Sequence, residues 1–571
     1  MLGVANRRLQ DSSPGFSITG AHRVDDGNLS LVFCGRIDNV EALPAMRSVE
    51  LGLLAAYRAR GPAFLETLLG DFVIAIWDSE ACTLLVARDP MGVLPVYYRL
   101  ETDEVHFSVE QLALAGKEPR LDALRVADYL MYEETAHPRH AFLANVHSLP
   151  PAHYLLVKPG TSRVVRYWQP RAGPVLRLGS DREYADAFLE VVDRAVAVRA
   201  TGRVGVMLSG GIDSVLVTAS LLRQGIDCEV LAALSPEGET CRETEAIMAV
   251  CKHYDIKPVT ATREDLEHFS ATLDGCLDAL DNPFSAVMVL AMVLYHRARE
   301  QGVTRVLDGV EGDLVASLPQ DYMGALLREG QVAQLVREIR GGVAMPPSSY
   351  LQLAARTLRT AFTPPTIRRA WHKRTFETQL QDRLVHSPVN DDLARQFVSR
   401  YRGLYRPHPR SSTAALHEAA LGRPDIDVAM ARYDAAARAV GVQAAHPLLD
   451  RRVVEFCLSL PAEQKRRFRW RKWLLRTAMT GEVPTWVAWR QDKPHLGASF
   501  THHWYTLNKP AIEASLARPL PVVSRAKLDR FRLQDDRYWQ PVWNVAFLSD
   551  WLFSNGIEVD TLPDGDECSA V

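Results

Sequence analysis

Over the first 170 residues the hydrophobic positions fall in short runs: 29–33 (LSLVF), 72–77 (FVIAIW), 82–87 (CTLLVA), 96–100 (VYYRL) and 154–157 (YLLV). Apolar or alternating runs of this length read as strands when turn formers bound them. The turn formers are DDGN at 25–28, DPMG at 89–92 and KPG at 158–160. One helical segment, about 49–59, interrupts the series. Beyond residue 180 the period changes. Over 182–200, Phe188, Val191, Val192, Ala195 and Val196 share one helical stripe. The run 204–208 (VGVML) is continuous, as in a strand buried on both faces. Strands at 229–234 and 304–307 alternate with helices at 243–253 and 284–295, which predicts a doubly wound parallel sheet. A helical, basic insertion broken by prolines spans about 325–405. The tail to about 555 is helical, with Trp539, Trp543 and Trp551 at near-helical spacing, as packing residues.

This pattern divides the chain into a β-rich domain over 1–175 and an α/β domain over 180–571. The 571 residues are 47% hydrophobic and 24% charged, which excludes disorder over most of the chain. With 66 basic and 69 acidic residues the net charge is −3, which argues against a polyanion binder. Eight cysteines show no CxxC pair, so a reducing, cytoplasmic setting is expected. The N-terminus has no signal-peptide core, and the longest apolar run (284–295) is too short to span a bilayer. Neither nucleic acid nor membrane is expected as a partner.

The sharpest chemical signal follows the 204–208 run: Ser209-Gly210-Gly211-Ile212-Asp213-Ser214, with Leu208 closing the strand. The glycines allow a tight turn and close approach to a ligand. The amides that follow, at a helix start, make an anion site. Ser209 and Ser214 add hydroxyl donors. Asp213 would repel a bare phosphate, so its presence points to a bridging Mg²⁺. A second motif, Asp308-Gly309-Val310-Glu311-Gly312-Asp313, follows the strand at 304–307. Ligands of doubly wound sheets bind beyond the carboxyl ends of strands. Both motifs can therefore face one cleft, where Asp213 and Asp313 would share Mg²⁺ through phosphate oxygens. A third element, 484–493 (PTWVAWRQDK), follows a segment containing Arg471, Lys472 and Arg476. Its Arg490 and Lys493 are candidates for opposing the charge that develops as pyrophosphate leaves. The sequence has no GxxxxGK[ST], GxSxG or HExxH motif.

The SGGIDS string resembles the pyrophosphate loop of the ATP pyrophosphatases. From about residue 30 to 555 the chain resembles the asparagine synthetase superfamily. The carriers are 70–78 (GDFVIAIWD), 87–92 (ARDPMG), 149–153 (LPPAH), Tyr167-Trp168, 445–450 (AHPLLD) and the RxxK spacing of Arg490 and Lys493. The resemblance implies an α+β, glutaminase-like (Ntn-type) sandwich over 1–175. It implies an α/β domain of ATP pyrophosphatase type, with a helical C-terminal part, over 180–571. ATP and Mg²⁺ are the implied cofactors. Leu208, Ser209, Gly210, Gly211, Asp213, Ser214, Asp308 and Gly309 would surround ATP and pyrophosphate, with Asp213 and Asp313 at the metal.

Two positions depart from the family pattern. A working glutaminase of this family needs a cysteine after Met1; Leu2 stands there, and no cysteine precedes Cys34. A thiolate is the required nucleophile, so glutamine is not expected to supply ammonia. The family's GEGxDE segment reads GVEGDL at 309–314. Asp313 keeps the metal-ligand place, but Val310 stands at the synthetases' acid–base glutamate and Leu314 at the second acidic position. Glu311 is then the nearest acidic candidate for the base. Superfamily members with an inactive glutaminase domain include β-lactam synthetases and lasso peptide cyclases. Residues 446–465, DGVEGD and the Trp-rich tail are most similar to the cyclases.

That resemblance implies an ATP-dependent carbon–nitrogen ligase that adenylates an Asp or Glu side chain of a leader-trimmed precursor peptide. The peptide's N-terminal amine would close an isopeptide macrolactam. Lys493, Arg490 and Glu311 would be the catalytic residues. The core peptide, a leader peptidase and a leader-binding protein would be the partners. The alternatives are a β-lactam synthetase, another amine-dependent amide ligase, or a non-catalytic peptide-binding scaffold.

Overall fold

A computed structural model describes residues 2–6, 16–19, 22–102, 104–132, 139–278, 280–319, 321–341, 347–404, 412–492, 496–533 and 539–557. The first 170 residues form two antiparallel sheets. One has the order β2-β1-β8-β7-β9, from β1 (Leu2–Asn6), β2 (Phe16–Thr19), β7 (Tyr97–Leu100), β8 (Glu104–Ser108) and β9 (His147–Ser148). The other has the order β11-β10-β6-β5-β4-β3, from β3 (Arg23–Asp26), β4 (Leu29–Ile37), β5 (Gly70–Asp78), β6 (Thr83–Arg88), β10 (His153–Lys158) and β11 (Thr161–Arg166).

Strand β5 shows why its sequence is a continuous apolar run. Side chains alternate between faces. Phe72, Ile74 and Ile76 pack with Leu53 and Leu54 of helix α1 (Val49–Arg60). Val73, Ala75 and Trp77 pack with Tyr98, Val105 and Phe107 of the other sheet. Both faces are covered, so both sets are apolar. Helix α2 (Ala123–Tyr132) and the strands β1, β2, β3, β8, β9 and β11 were not anticipated from the pattern. Strand β11 is largely exposed and its residues TSRVVR carry little apolar signal.

The second domain is built on five parallel strands in the order β14-β13-β12-β15-β16. They are β12 (Val204–Met207), β13 (Cys228–Ala233), β14 (Val259–Ala261), β15 (Arg305–Leu307) and β16 (Gln443–Ala445). The two outer strands have three residues each, too few to leave a periodic signature. Helices α3 (Asp181–Ala197), α4 (Ile212–Arg223) and α5 (Arg242–His253) share one core with Val204, Val206, Val230 and Ala232. Helices α6 (Asp265–Asp278) and α7 (Val289–Glu300) share another with Leu231, Ala233 and Val306. The sheet is thus covered on both faces, as its unbroken apolar strands require. The apolar run at 284–295 is core, with Met292, Val293 and Tyr295 at 0% exposure. Trp543 and Trp551 pack in that same core beside Phe142 and Tyr129 of the first domain. Among the described residues no helix is long and apolar enough to cross a membrane.

Candidate active site at the sheet switch point

From β12 the chain winds outward to β13 and β14, then returns to β15 on the other side. The strand order therefore reverses between β12 and β15, where doubly wound sheets open a crevice at their carboxyl ends. SGGIDS follows β12 and DGVEGD follows β15, so both predicted motifs meet at this crevice.

The two loops touch. A Cβ on Gly309 would overlap the backbone of Asp213 and Ser214, and one on Gly312 would overlap the Asp213 carboxylate. Only glycine allows that approach. Ser214 Oγ ties the first loop to itself: it accepts from the Ser209 amide at 3.1 Å, lies 3.0 Å from Ser209 Oγ and donates to the Gly211 carbonyl at 2.9 Å. Leu208 is core, its amide donating to the Leu231 carbonyl at 2.9 Å. Helix α4 begins one residue after Gly211, and its first-turn amides have no intrahelical partner.

Asp213 and Asp313 converge on one cation, Lys472. Its ammonium ion-pairs with Asp213 Oδ2 and lies 2.9 Å from Asp313 Oδ1. Arg471 Nη2 is 3.1 Å from the same Asp313 oxygen. Lys472 is 4% exposed and left-handed, with φ +56°, just before the helix Trp473–Met479. Phe468 and Arg469, in the same hairpin, are left-handed as well. Such residues cost about 1–3 kcal/mol each and persist where their surroundings fix them. Here Glu338 accepts from the amides of Phe468 (3.0 Å) and Arg469 (2.8 Å). Trp470 and Trp473 both meet Trp489 edge-on, at 5.3 and 5.2 Å between ring centres, closing an aromatic collar behind the lysine.

The residues fit the divalent ion that the motifs predict. Asp213 Oδ1 is buried with no hydrogen-bond partner. Asp213 and Asp313 together present carboxylate oxygens, the donors that Mg²⁺ takes.

The other predicted residues are placed as follows. Glu311 is left-handed at φ +64°. Burial, and after it the charge of Asp425, raises its carboxyl to about 7. Asp308 turns inward: Oδ1 is 2.9 Å from His446 Nδ1 and accepts from the Val310 amide at 3.1 Å, while Oδ2 is buried without a partner. Burial opposes charge on His446, but Asp308 outweighs it and holds the imidazole above its ordinary value. The Arg490 guanidinium donates to the Arg242 carbonyl at 2.7 Å, which ties it to the start of α5 rather than to Asp213 or Asp313. Lys493 lies outside the described residues.

Lys472 and the Asp308–His446 pair went unassigned in the sequence reading. A lysine among tryptophans and arginines gives no hint that it is buried, and nothing in AHPLLD marks His446 as a partner of Asp308. A third feature joins the domains. Arg199, 1% exposed, bonds Asp71 Oδ1 at 3.0 Å and Asp450 Oδ2 at 2.6 Å. Arg36 lies 2.9 Å from Asp71 Oδ2, and Arg452 lies 2.7 Å from Asp450 Oδ2.

Comparison with known proteins agrees with this geometry. The family model described as Asparagine synthase matches residues 187–553, and the Glutamine amidotransferase domain matches 24–168. The chain is 25% identical over 458 residues to asparagine synthetase (glutamine-hydrolyzing) 1 of Bacillus subtilis (strain 168), covering 76% of this chain and 69% of that protein. It is 30% identical over 178 residues to a probable asparagine synthetase (glutamine-hydrolyzing) of Dictyostelium discoideum, covering 30% of this chain and only 27% of that protein's length. A solved structure of NMN synthetase from Francisella tularensis aligns at 16% identity over 41% of this chain and 97% of its own, with a TM-score of 0.18, too low to carry an argument. A single family model thus spans the parallel sheet, both acidic loops and the lysine hairpin: the chain belongs to the asparagine synthase family.

Proposed function

We propose that the chain is an ATP-dependent, AMP-forming amide ligase and, within that class, a lasso peptide cyclase. The observation that carries the ligase reading is the meeting of the 209–214 and 308–313 loops on the buried ammonium of Lys472 at the switch point. In the first step a peptide carboxylate oxygen attacks the α-phosphorus of ATP. The bond to the β-phosphate oxygen breaks and pyrophosphate leaves. In the second step the peptide's N-terminal amine attacks the acyl carbon. The carbon–nitrogen bond forms, the bond to the AMP oxygen breaks, and the amine gives up its proton.

The amides of the 209–214 loop and the α4 N-terminus would hold the phosphates. Asp213 and Asp313 would hold Mg²⁺, which when bound neutralises phosphate charge. Lys472, itself buried, places a positive charge beside both, where it would oppose the charge that develops as pyrophosphate leaves. Lys493 would reinforce it from the following segment. Glu311, between the two acids of DGVEGD, is the candidate acceptor of the amine proton. Enclosing both ends of one peptide would supply proximity worth up to about 7–11 kcal/mol and keep water from the acyl adenylate.

The cyclase reading rests on three features. In this sequence Leu2 stands where the resemblance expects the cysteine nucleophile, and an amine other than that of glutamine would then be used. Residues 446–465 resemble the cyclases. The basic helices inserted between Tyr322 and Leu404 would suit a peptide better than a small amino acid. A leader peptidase and a leader-binding protein would act with it, in the cytoplasm. The alignment to the B. subtilis synthetase over 76% of this chain favours one second reading, an amide ligase using free ammonia or a small amine. Incubation with ATP and a candidate core peptide separates the two. The cyclase predicts a product lighter by one water, with AMP and pyrophosphate. A product carrying added ammonia instead would favour the second reading.

A further inference from the structure

Lys472 is reached through a hairpin whose turn is intrinsically weak. Its strands have two residues each, Arg466–Arg467 and Trp470–Arg471, and Phe468 and Arg469 form the turn. Both turn residues have positive φ, +52° and +65°, and Lys472 follows at +56°. A two-residue turn of that kind is ordinarily filled by Asn and Gly, which take positive φ at little cost. Phe and Arg do not, and a two-stranded ribbon this short has no stability of its own. Something outside the hairpin must hold it.

That support comes from the inserted helices. Glu338 lies in the helix Val332–Arg340 at 0% exposure. Successive amides in a turn make a concave seat for an anion. Glu338 fills it: Oε1 accepts from the Phe468 amide at 3.0 Å and Oε2 from the Arg469 amide at 2.8 Å. The Tyr322 hydroxyl, from the helix Tyr322–Arg328, donates to Oε2 at 2.6 Å. Just beyond the Glu338 helix, the Gly341 carbonyl accepts from Arg469 Nε at 2.6 Å, and a Cβ on Gly341 would lie 2.5 Å from the Phe468 ring. Three donors therefore meet on one buried carboxylate. A glutamine in its place has one accepting oxygen and turns an N–H donor on at least one of the hairpin amides.

We propose that Glu338 is the positioning residue for Lys472: by seating the hairpin turn on the inserted helices, it sets the lysine ammonium between Asp213 and Asp313. It acts through the lysine, three residues beyond the turn. The inserted helices are thereby needed to build the cleft. The kinetic consequence rests on the ligase reading; the structural one does not.

The test compares the full chain with its Glu338→Gln and Tyr322→Phe variants. Lys472 is acetylated with acetic anhydride and followed by mass spectrometry against Lys117, which is exposed. In Glu338→Gln a hairpin amide faces a donor, which should raise Lys472 labelling about tenfold. The displaced ammonium should lower kcat for ATP–pyrophosphate exchange about tenfold or more, with KM for ATP and Lys117 labelling unchanged. Tyr322→Phe keeps both hairpin bonds and should stay within about twofold of the wild type in both readouts. Unchanged Lys472 labelling in Glu338→Gln would overturn the proposal. So would exchange lost while Lys472 stays protected, because the loss would then be one of general stability. Should Glu338→Gln not fold, hydrogen exchange of the wild type decides: the Phe468 and Arg469 amides should be protected, and exchange as fast as in an open turn would overturn the proposal. Labelling needs neither ATP nor peptide, so a wild type without exchange activity would remove the ligase reading while Lys472 labelling still decides the positioning role.

Discussion

Asp71 and Asp213 are both buried aspartates paired with cations, one in each domain. Asp71 has both oxygens engaged, Oδ1 with Arg199 and Oδ2 with Arg36. Asp213 has Oδ2 engaged by Lys472 while Oδ1 is buried with no hydrogen-bond partner. A saturated carboxylate is a fastening. A carboxylate with an unmet oxygen in a crevice is costly to leave alone, and the cost is recovered when a ligand completes it. The same contrast holds for the domains. In the first, Arg88 and Asp71 of the family-like segments reach across the domain boundary, to Asp427 at 2.7 Å and to Arg199. In the second, Asp213 and Asp313 of the two loops meet at Lys472 at the end of the sheet. On the proposed reading the glutaminase-like domain gives support and the switch point carries the chemistry.

The largest test of that contrast is removal of the two acids that meet at Lys472. Asp213→Asn and Asp313→Asn should each abolish ATP–pyrophosphate exchange, while circular dichroism and melting temperature stay near wild type. Near-normal exchange in either variant would dissolve the proposed Mg²⁺ site.

Next in size is the cationic side. Lys493→Ala should slow single-turnover product formation about 10²–10³-fold, with ATP affinity retained, since backbone amides of the 209–214 loop supply the ground-state contacts. Lys472→Met should show at least this loss. A defect lying wholly in ATP affinity would remove either lysine from the transition state.

The saturated cluster should behave differently. Arg199→Met leaves Asp71, Asp38 and Asp450 without their shared cation and should destabilise the fold by about 3–5 kcal/mol, measured by denaturant unfolding. Burial opposes charge on Asp71, but Arg199 and Arg36 hold its carboxyl below the ordinary value. A lowered folded-state value stabilises above the unfolded value of about 3.9 and is lost as pH falls through the folded one. The wild type should therefore resist acid into the region below that value, and the Arg199 variant should unfold at higher pH. Equal acid midpoints would show that the cluster contributes nothing.

The smallest expected effect is none. Glutamine should not alter the rate of product formation, and Cys34→Ala should be silent. Glutamine hydrolysis lost in that variant would return chemistry to the first domain.

The sequence showed the central sheet and both acidic loops because each depends on local rules: continuous apolar strands, glycine turns and acids at strand ends. What it concealed depends on chain reversal. Lys472 reaches Asp213 from 259 positions away, and Asp308 meets His446 across 138. No spacing rule links residues so far apart, and a lysine in a basic, aromatic segment reads as a surface residue. The short strands β14 and β16 were concealed for another reason, since three residues cannot establish a period. Glu311 was legible as an acid but not its environment, because its burial and the nearby charge of Asp425 arise from the fold.

The central claim is that this cleft activates a carboxylate as an acyl adenylate without help from the first domain. The most direct measurement follows oxygen. A candidate core peptide with its Asp and Glu side-chain carboxylates labelled with ¹⁸O is incubated with ATP and the full chain, without glutamine, and the nucleotide products are examined by mass spectrometry. The account predicts one ¹⁸O in AMP, with unlabelled pyrophosphate. Label in inorganic phosphate, accompanied by ADP, would mean γ-phosphoryl transfer and would contradict it.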